Sequence, residues 1–134
     1  MYICNITAPT CKEMIRRMNV LKDLGAHYAM IDIVPTGWTA LQTLREKVED
    51  TNLVLHAHRC MHSAYTRNPR HGISMLVVAK LCRLIGLDQL HIGTVVGKMH
   101  GEKHEVLSLR DECVLDNVPA DESQHVLAQD WGGL

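Results

Sequence analysis

Two stretches of the chain place histidines and a cationic side chain where an apolar run ends. Residues 53–62 read LVLHAHRCMH, so the apolar run is followed by three histidines and an arginine. Residues 90–98 read LHIGTVVGK, with one histidine, two glycines and a final lysine. Imidazole suits proton transfer near neutral pH, and guanidinium and ammonium groups bind anions. The two stretches together predict an anion-binding catalytic site.

His56 and His58 lie two positions apart, so both side chains project from the same face of a strand. They could form a pair directed into a polar site, or they could be core histidines whose ring nitrogens are satisfied by hydrogen bonds. For His58, the adjacent Arg59 and the end of the strand favour a site residue. For His56 both interpretations stay open.

Arg59 could bind a carboxylate or a phosphate through a bidentate contact. The alternative is an ion pair with a neighbouring acid such as Asp32. His91 lies in the middle of the other apolar run, where a buried imidazole needs a partner. An anionic ligand could supply that partner.

Lys98 lies between two glycines, Gly97 and Gly101, in a polar run at the end of a strand. Glycines permit the backbone changes of a closing lid, and a lysine on a lid can meet charge that develops during a reaction. The alternative is a solvated lysine in an ordinary surface loop. A phosphate loop is excluded, because the stretch is itself strand and Met99 replaces the required hydroxyl residue.

A metal site is the competing interpretation of the two strand histidines. Several barrel hydrolases place two histidines of one strand on zinc, so His56 and His58 could serve a metal-dependent hydrolase. Such a site requires further ligands. Asp32 and His91 are available, but the apolar positions around them offer no tight cluster.

Composition limits the partners. The formal net charge is -1, so no long-range field points to nucleic acid or to a membrane surface. The five cysteines are odd in number and contain no C-x-x-C pair, which predicts reduced, mostly buried thiols of a cytoplasmic protein. No apolar run approaches the roughly 20 residues that a membrane helix needs.

Strand and helix patterns alternate four times, which predicts an α/β fold with a parallel sheet. The strands are expected at residues 1–6, 27–34, 53–62 and 90–96, and the helices at residues 10–24, 41–50, 73–85 and 105–116. Thr10 and Glu13 have the spacing of a helix capping box. In the third helix the expected inward residues are Leu76, Val77, Leu81 and Leu84.

Four short motifs resemble the large subunit of ribulose-1,5-bisphosphate carboxylase/oxygenase (RuBisCO). They are LHAHRCMH at residues 55–62, NPRHG at 68–72, GTVVGK at 93–98 with Gly101 and Glu102, and NITA at 5–8. Their order and separations fit along essentially the whole chain. The QLHIG sequence at residues 89–93 is more similar to the archaeal type, form III, than to the plant type.

The resemblance implies a (β/α)8 barrel with its active site at the C-terminal ends of the strands. Residues 1–134 would be a fragment of the C-terminal catalytic barrel domain and would cover about its third to sixth strands. The resemblance also implies a role for each candidate residue. His58 would be catalytic in proton transfer, and Arg59 and His91 would bind one substrate phosphate. Lys98 would belong to the mobile sixth loop, and His62 would be a supporting residue.

The implied reaction is carboxylation of ribulose 1,5-bisphosphate to 3-phosphoglycerate, with oxygenation as a side reaction, in a homodimer or higher homo-oligomer. The family's Mg2+ is held by a carbamylated lysine and two acids outside this chain, so no metal ligand is expected here. The fragment alone should be inactive, with Met1 internal or added. A non-catalytic fragment that pairs its open sheet edges with a partner chain is the remaining alternative.

Overall fold

Four parallel strands form one sheet in chain order. The computed structural model describes residues 2–49, 51–66, 68, 70–93 and 103–114. The strands are β1 (Cys4–Asn5), β2 (Tyr28–Asp32), β3 (Val54–His58) and β4 (Gln89–Leu90). Neighbours pair in the order β1-β2-β3-β4, and all three pairings are parallel. The predicted alternation of strands and helices in a parallel α/β sheet is therefore confirmed.

Helices connect the strands and cover the sheet. They are α1 (Cys11–Asp23), α2 (Ile33–Thr36), α3 (Trp38–Val48), α4 (Ser63–Thr66), α5 (Met75–Ile85) and α6 (Lys103–Val114). The core contains Ile31, Leu55 and Ala57 from the strands together with Leu41 and Leu44 from α3, each 0% exposed. No helix within the described ranges combines the length and the apolar composition needed to cross a bilayer.

Helix α1 begins and ends as its sequence predicts. The Thr10 side chain accepts a hydrogen bond from the backbone N–H of Glu13 at 3.2 Å, which satisfies one of the free donors of the first turn. Gly25 follows the helix with φ of 71°, a conformation that glycine adopts without steric cost. The N-cap bond of the expected capping box is therefore confirmed, while the Glu13 carboxylate binds Arg16 and Arg17.

Strand β2 is shorter than predicted. It ends at Asp32, and Ile33 begins the short helix α2 instead of continuing the strand to Val34. Pro35 cannot donate to a sheet ladder but is tolerated in the first turn of a helix. The early end places Asp32 at the C-terminal edge of the sheet.

Helix α5 buries a different face from the one expected. The buried residues are Met75, Val78, Ala79 and Cys82. By contrast, Leu76, Val77 and Leu84 are 37%, 47% and 49% exposed, so the predicted inward set is wrong at these positions. The helix is apolar on most of its sides, so the spacing alone could not select one face.

The cysteines are free, but only one of them is fully buried. Cys82 is buried, Cys11 is half-buried, and Cys4, Cys60 and Cys113 are exposed. The prediction of free thiols holds for these residues, whereas the prediction that most of them are buried is wrong.

Burial should protect Cys82 from alkylation. Desolvation, with a smaller contribution from Cys113, raises the pKa of the Cys82 thiol to about 12, so the reactive thiolate is scarce at mildly alkaline pH. We expect iodoacetamide to label exposed Cys60 in the folded protein and to label Cys82 only after denaturation. Peptide mass spectrometry measures both rates. Equal labelling of the two thiols in the folded protein would contradict the prediction.

Candidate active site

Polar side chains gather where β2, β3 and β4 end. Asp32 is the last residue of β2 and His58 is the last of β3, and the two are direct partners in the sheet register. His91 directly follows β4, whose Leu90 pairs with Ala57. Because parallel strands end at one edge of a sheet, three neighbouring strands deliver these groups to one place.

Asp32 fixes the orientation of His58. The Nδ1 atom of His58 lies 2.9 Å from Oδ1 of Asp32. A carboxylate accepts hydrogen bonds, so Nδ1 carries the proton and donates it. In a neutral imidazole with this tautomer, the opposite nitrogen, Nε2, has the lone pair. Since side-chain exposure is 16% for Asp32 and 37% for His58, the pair is partly shielded from water while its histidine stays accessible.

Strand β1 and the residues after it hold Asp32 in turn. The side-chain amide of Asn5 donates to Oδ1 of Asp32 at 3.2 Å. The Thr7 hydroxyl accepts from the backbone N–H of Asp32 at 2.8 Å. Arg17 of α1 donates to the Thr7 carbonyl at 2.7 Å. Asp32 is therefore held in place through both its side chain and its backbone N–H.

His56, His58 and His91 form a cluster of three rings. The ring centroids of His56 and His91 are 4.7 Å apart, and those of His58 and His91 are 5.2 Å apart, with both pairs edge to face. His56 Nδ1 bonds to Oε1 of Gln89 at 2.9 Å, and its Nε2 faces Nδ1 of His91 at 3.4 Å. The prediction that His56 and His58 share one face is thereby confirmed.

His91 differs from its predicted setting. It follows β4 rather than lying in the middle of a strand, and its side chain is exposed rather than buried. Desolvation lowers the pKa of His91, and the neighbouring His56, His58 and Arg59 lower it further. Neutral imidazole is consequently the favoured form of His91 near neutral pH.

Arg59 does not pair with Asp32, which contacts His58 instead, and the acid that acts on Arg59 is Glu105. Its guanidinium donates to the carbonyl oxygen of Ile92 at 2.9 Å and is half-buried. Burial lowers the pKa of Arg59, and the Glu105 carboxylate opposes that shift. The guanidinium nevertheless remains charged, because arginine does not deprotonate in proteins under ordinary conditions.

A cavity of about 630 Å³ opens beside Arg59. Arg70, His71 and Glu105 also line it, together with Ile92 and Gly93. Its size is within the range of small-molecule sites, and its two guanidinium groups suit an anion.

The His62 side chain is buried and bonds to a distant backbone carbonyl. It is 2% exposed, and its Nε2 donates to the carbonyl oxygen of Ile73 at 2.7 Å. Its Nδ1 is buried with no hydrogen-bond partner among the described residues. The contact ties the turn after β3 to the segment that leads into α5. Lys98, the predicted lid residue, lies outside the described residues.

One group of described residues has the spacing of a metal site, although no metal ligand was expected in this chain. Ligand atoms of Asp32, His58 and Cys60 all lie within 4.8 Å of one another. His56 is not part of this group, so the group differs from the pair of His56 and His58 in the alternative hydrolase interpretation. The group does not fit Mg2+, which prefers oxygen ligands in an octahedral arrangement, because two of the three donors are imidazole and thiol.

The residues that support the site were the hardest to predict. Asn5, Cys60 and Gln89 each belong to one of the sequence motifs, but the motifs predict no role for them. The position of Asn5 after a short apolar run was an available signal, since it marks the end of the first strand.

Fold and site together define an α/β protein that carries its functional groups at the C-terminal edge of a parallel sheet. The model of the ribulose bisphosphate carboxylase large chain, catalytic domain, matches residues 1–134. The chain belongs to this family.

Relatives of high identity carry the same description. The chain is 92% identical over 134 residues to a ribulose bisphosphate carboxylase of Methanosarcina barkeri, covering all of this chain and 31% of that protein. Identity to the protein of the same name from Methanocaldococcus jannaschii is 54% over 130 residues, covering 97% of this chain and 30% of that protein. The chain thus spans less than a third of the length of these relatives.

Solved structures show the same arrangement. A dimeric archaeal Rubisco from Hyperthermus butylicus superposes with a TM-score of 0.77 at 41% identity, covering 90% of this chain and 27% of that one. A second structure is an octameric ribulose-1,5-bisphosphate carboxylase/oxygenase from Pyrococcus horikoshii in complex with sulfate. It superposes with a TM-score of 0.73 at 53% identity, covering 80% of this chain and 25% of that one.

Proposed function

We propose that the protein carrying this chain is a ribulose-1,5-bisphosphate carboxylase of the archaeal type. It would carboxylate ribulose 1,5-bisphosphate to two molecules of 3-phosphoglycerate, with oxygenation as a side reaction. The main support is the meeting of His58, Arg59 and His91 at the C-terminal edge of neighbouring parallel strands in a chain that belongs to this family.

The four strands are proposed to be the third to sixth strands of a (β/α)8 barrel, with residues 1–134 part of its C-terminal catalytic domain. In such a barrel the strands are parallel and follow one another in chain order. A doubly wound sheet instead reverses its order at a switch point. The order β1-β2-β3-β4 supports the barrel. The rest of the barrel would then continue from the β1 and β4 edges.

His58 is proposed to transfer protons at the sugar carbon skeleton. With Nδ1 donating to Asp32, the lone pair of Nε2 can take a proton from substrate and return it in a later step. The imidazolium formed in between is stabilised by the Asp32 carboxylate. Asp32 thereby positions the histidine and balances its charge without touching substrate.

Arg59 and His91 are proposed to bind one phosphate of the bisphosphate. Arg59 is held by the Ile92 carbonyl, directly after His91 in the chain, so the two groups are positioned together. Lys98 is proposed to close over substrate and to stabilise the carboxylate formed from carbon dioxide. His62 is proposed to support the turn that carries Arg59, through its contact with Ile73.

Mg2+ is proposed as the cofactor, held by a carbamylated lysine and acids outside this chain. When bound, it would act as a Lewis acid toward substrate oxygens. The residues of this chain would orient substrate and move protons beside it.

Assembly and location are part of the same proposal. One structural relative is described as dimeric and another as octameric, which supports a homodimer or a larger homo-oligomer of this chain's full-length protein. Free thiols at the described cysteines favour a reducing compartment such as the cytoplasm.

The phosphate role can be tested by binding. In the product of the complete open reading frame, Arg59→Ala should weaken binding of a bisphosphate analogue by about tenfold, since one charge-assisted hydrogen bond to a phosphate contributes about 1.5 kcal/mol or more. Isothermal titration calorimetry measures the dissociation constant.

A matched control uses Arg110, an exposed arginine of α6 that pairs with the adjacent Asp111. Arg110→Ala should bind the analogue as tightly as the wild type. Wild-type affinity in Arg59→Ala would remove Arg59 from the proposed phosphate site.

A further inference from the structure

The C-terminal edge of β2 and β3 brings together three different metal-binding groups. A carboxylate oxygen of Asp32, a ring nitrogen of His58 and the thiol sulfur of Cys60 lie within 4.8 Å of one another, and Nδ1 is the His58 nitrogen that faces Asp32. Asp32 and His58 end paired strands, and Cys60 lies in the turn two residues after β3.

The donor set selects a class of cation. One oxygen, one nitrogen and one sulfur donor are typical ligands of zinc and of related borderline ions such as Co2+. Bond lengths of about 2.0–2.3 Å around a tetrahedral ion put ligand atoms about 3.3–3.6 Å apart. The ligand atoms of the observed cluster lie up to 4.8 Å apart, so the more distant ones would move closer on binding.

Two of the ligands are already positioned. Both the Asn5 amide and His58 contact Oδ1 of Asp32, and Thr7 holds the Asp32 backbone. Groups that orient ligands in this way strengthen metal binding. Cys60 is exposed, so an ion from solution can reach the third donor and keep one coordination position for water.

We propose that Asp32, His58 and Cys60 form a binding site for Zn2+ or a similar borderline divalent cation. On binding, Nδ1 of His58 coordinates the ion and its proton is relocated through solvent to Nε2, so that His58 binds as a neutral imidazole, while the proton of the Cys60 thiol passes to solvent. A second consequence rests on the proposed function: the ion removes His58 from proton transfer and so inhibits carboxylation.

Cobalt spectroscopy tests the site directly. The product of the complete open reading frame is titrated with Co2+ in the presence of saturating Mg2+, and thiolate-to-cobalt charge transfer is followed in the near ultraviolet. We expect a saturable band with one ion per chain. Cys60→Ala should abolish this band, whereas Cys113→Ala, which removes another exposed thiol on α6, should retain it. Absence of the band, or its persistence in Cys60→Ala, would overturn the site.

Inhibition by Zn2+ tests the consequence. Each variant is compared with its own zinc-free rate, and the zinc concentration for half-inhibition should be at least about tenfold higher in Cys60→Ala than in the wild type or Cys113→Ala. A chelator should restore activity. Inhibition that does not depend on Cys60 would overturn the coupling to His58.

The two proposals fail separately. A Cys60-dependent cobalt band in a protein that does not carboxylate ribulose 1,5-bisphosphate would support the metal site and contradict the proposed function. Carboxylation by a protein that shows no such band would support the proposed function and contradict the metal site.

Discussion

Replacing His58 by glutamine in the complete enzyme should lower the carboxylation turnover number by about 10²–10⁴-fold, the usual contribution of a positioned acid–base group. Glutamine keeps the size and polarity of the side chain, but it cannot take up a proton at neutral pH. Its amide can still donate to Asp32, so the local packing should persist. Turnover is measured by incorporation of labelled carbon dioxide at saturating bisphosphate.

His56→Gln is the matched control for this experiment. His56 shares the strand, the face and the ring cluster with His58, but its Nδ1 is bonded to Gln89 rather than to a carboxylate. We expect a loss of less than about tenfold, because no charged partner prepares His56 for proton transfer. Equal losses in the two variants would contradict the assignment of proton transfer to His58.

Features that depend on nearby residues could be predicted from the sequence. The cap of α1 requires only Thr10 and the Glu13 backbone, three residues away, and it forms as expected. The parallel order of the strands follows from the lengths of their connections. The shared face of His56 and His58 follows from the two-residue period of a strand.

Features that depend on competition between similar choices could not be predicted. Helix α5 offers apolar residues on several sides, and only the packed structure selects Val78 and Cys82 over Val77 and Leu84. Residues Ile33 and Val34 favour a strand by composition, yet Pro35 and the turn at Gly37, where φ is 76°, end β2 earlier. Tertiary packing selected the buried face of α5, whereas local backbone chemistry ended β2.

The partner of Asp32 shows how far the site could be predicted from the sequence. The sequence offered Asp32 as a possible ion-pair partner of Arg59. The register instead sets Asp32 directly against His58, one residue earlier. Because side chains alternate faces along a strand, a difference of one residue changes which group a carboxylate meets. Asn5 belongs to the register of β1 with β2, where its partner is Met30, and its side chain reaches Asp32 two residues further along β2.

The carboxylate of Asp32 gives the second large expected effect. Asp32→Asn should lower the turnover number by about 10–100-fold, which is typical for the loss of a group that orients and charges a reacting residue. The asparagine oxygen can still accept from His58 and from Asn5, so the geometry is kept while the negative charge that stabilises the imidazolium is lost. The KM for the bisphosphate should change little, because Asp32 is not proposed to touch substrate.

Asp111→Asn, on the exposed surface of α6, removes a carboxylate of equal charge far along the chain from the cluster and should leave turnover at the wild-type value. Asp32→Ala should be more severe than Asp32→Asn, since it also removes the acceptor that keeps the proton on Nδ1 of His58. This ranking separates the two contributions of the carboxylate, orientation and charge.

If Asp32→Asn turned over within about twofold of the wild type while Asp32→Ala did not, orientation alone would explain the contact. If both variants were fully active, His58 would not need Asp32, and the 2.9 Å contact would be structural only.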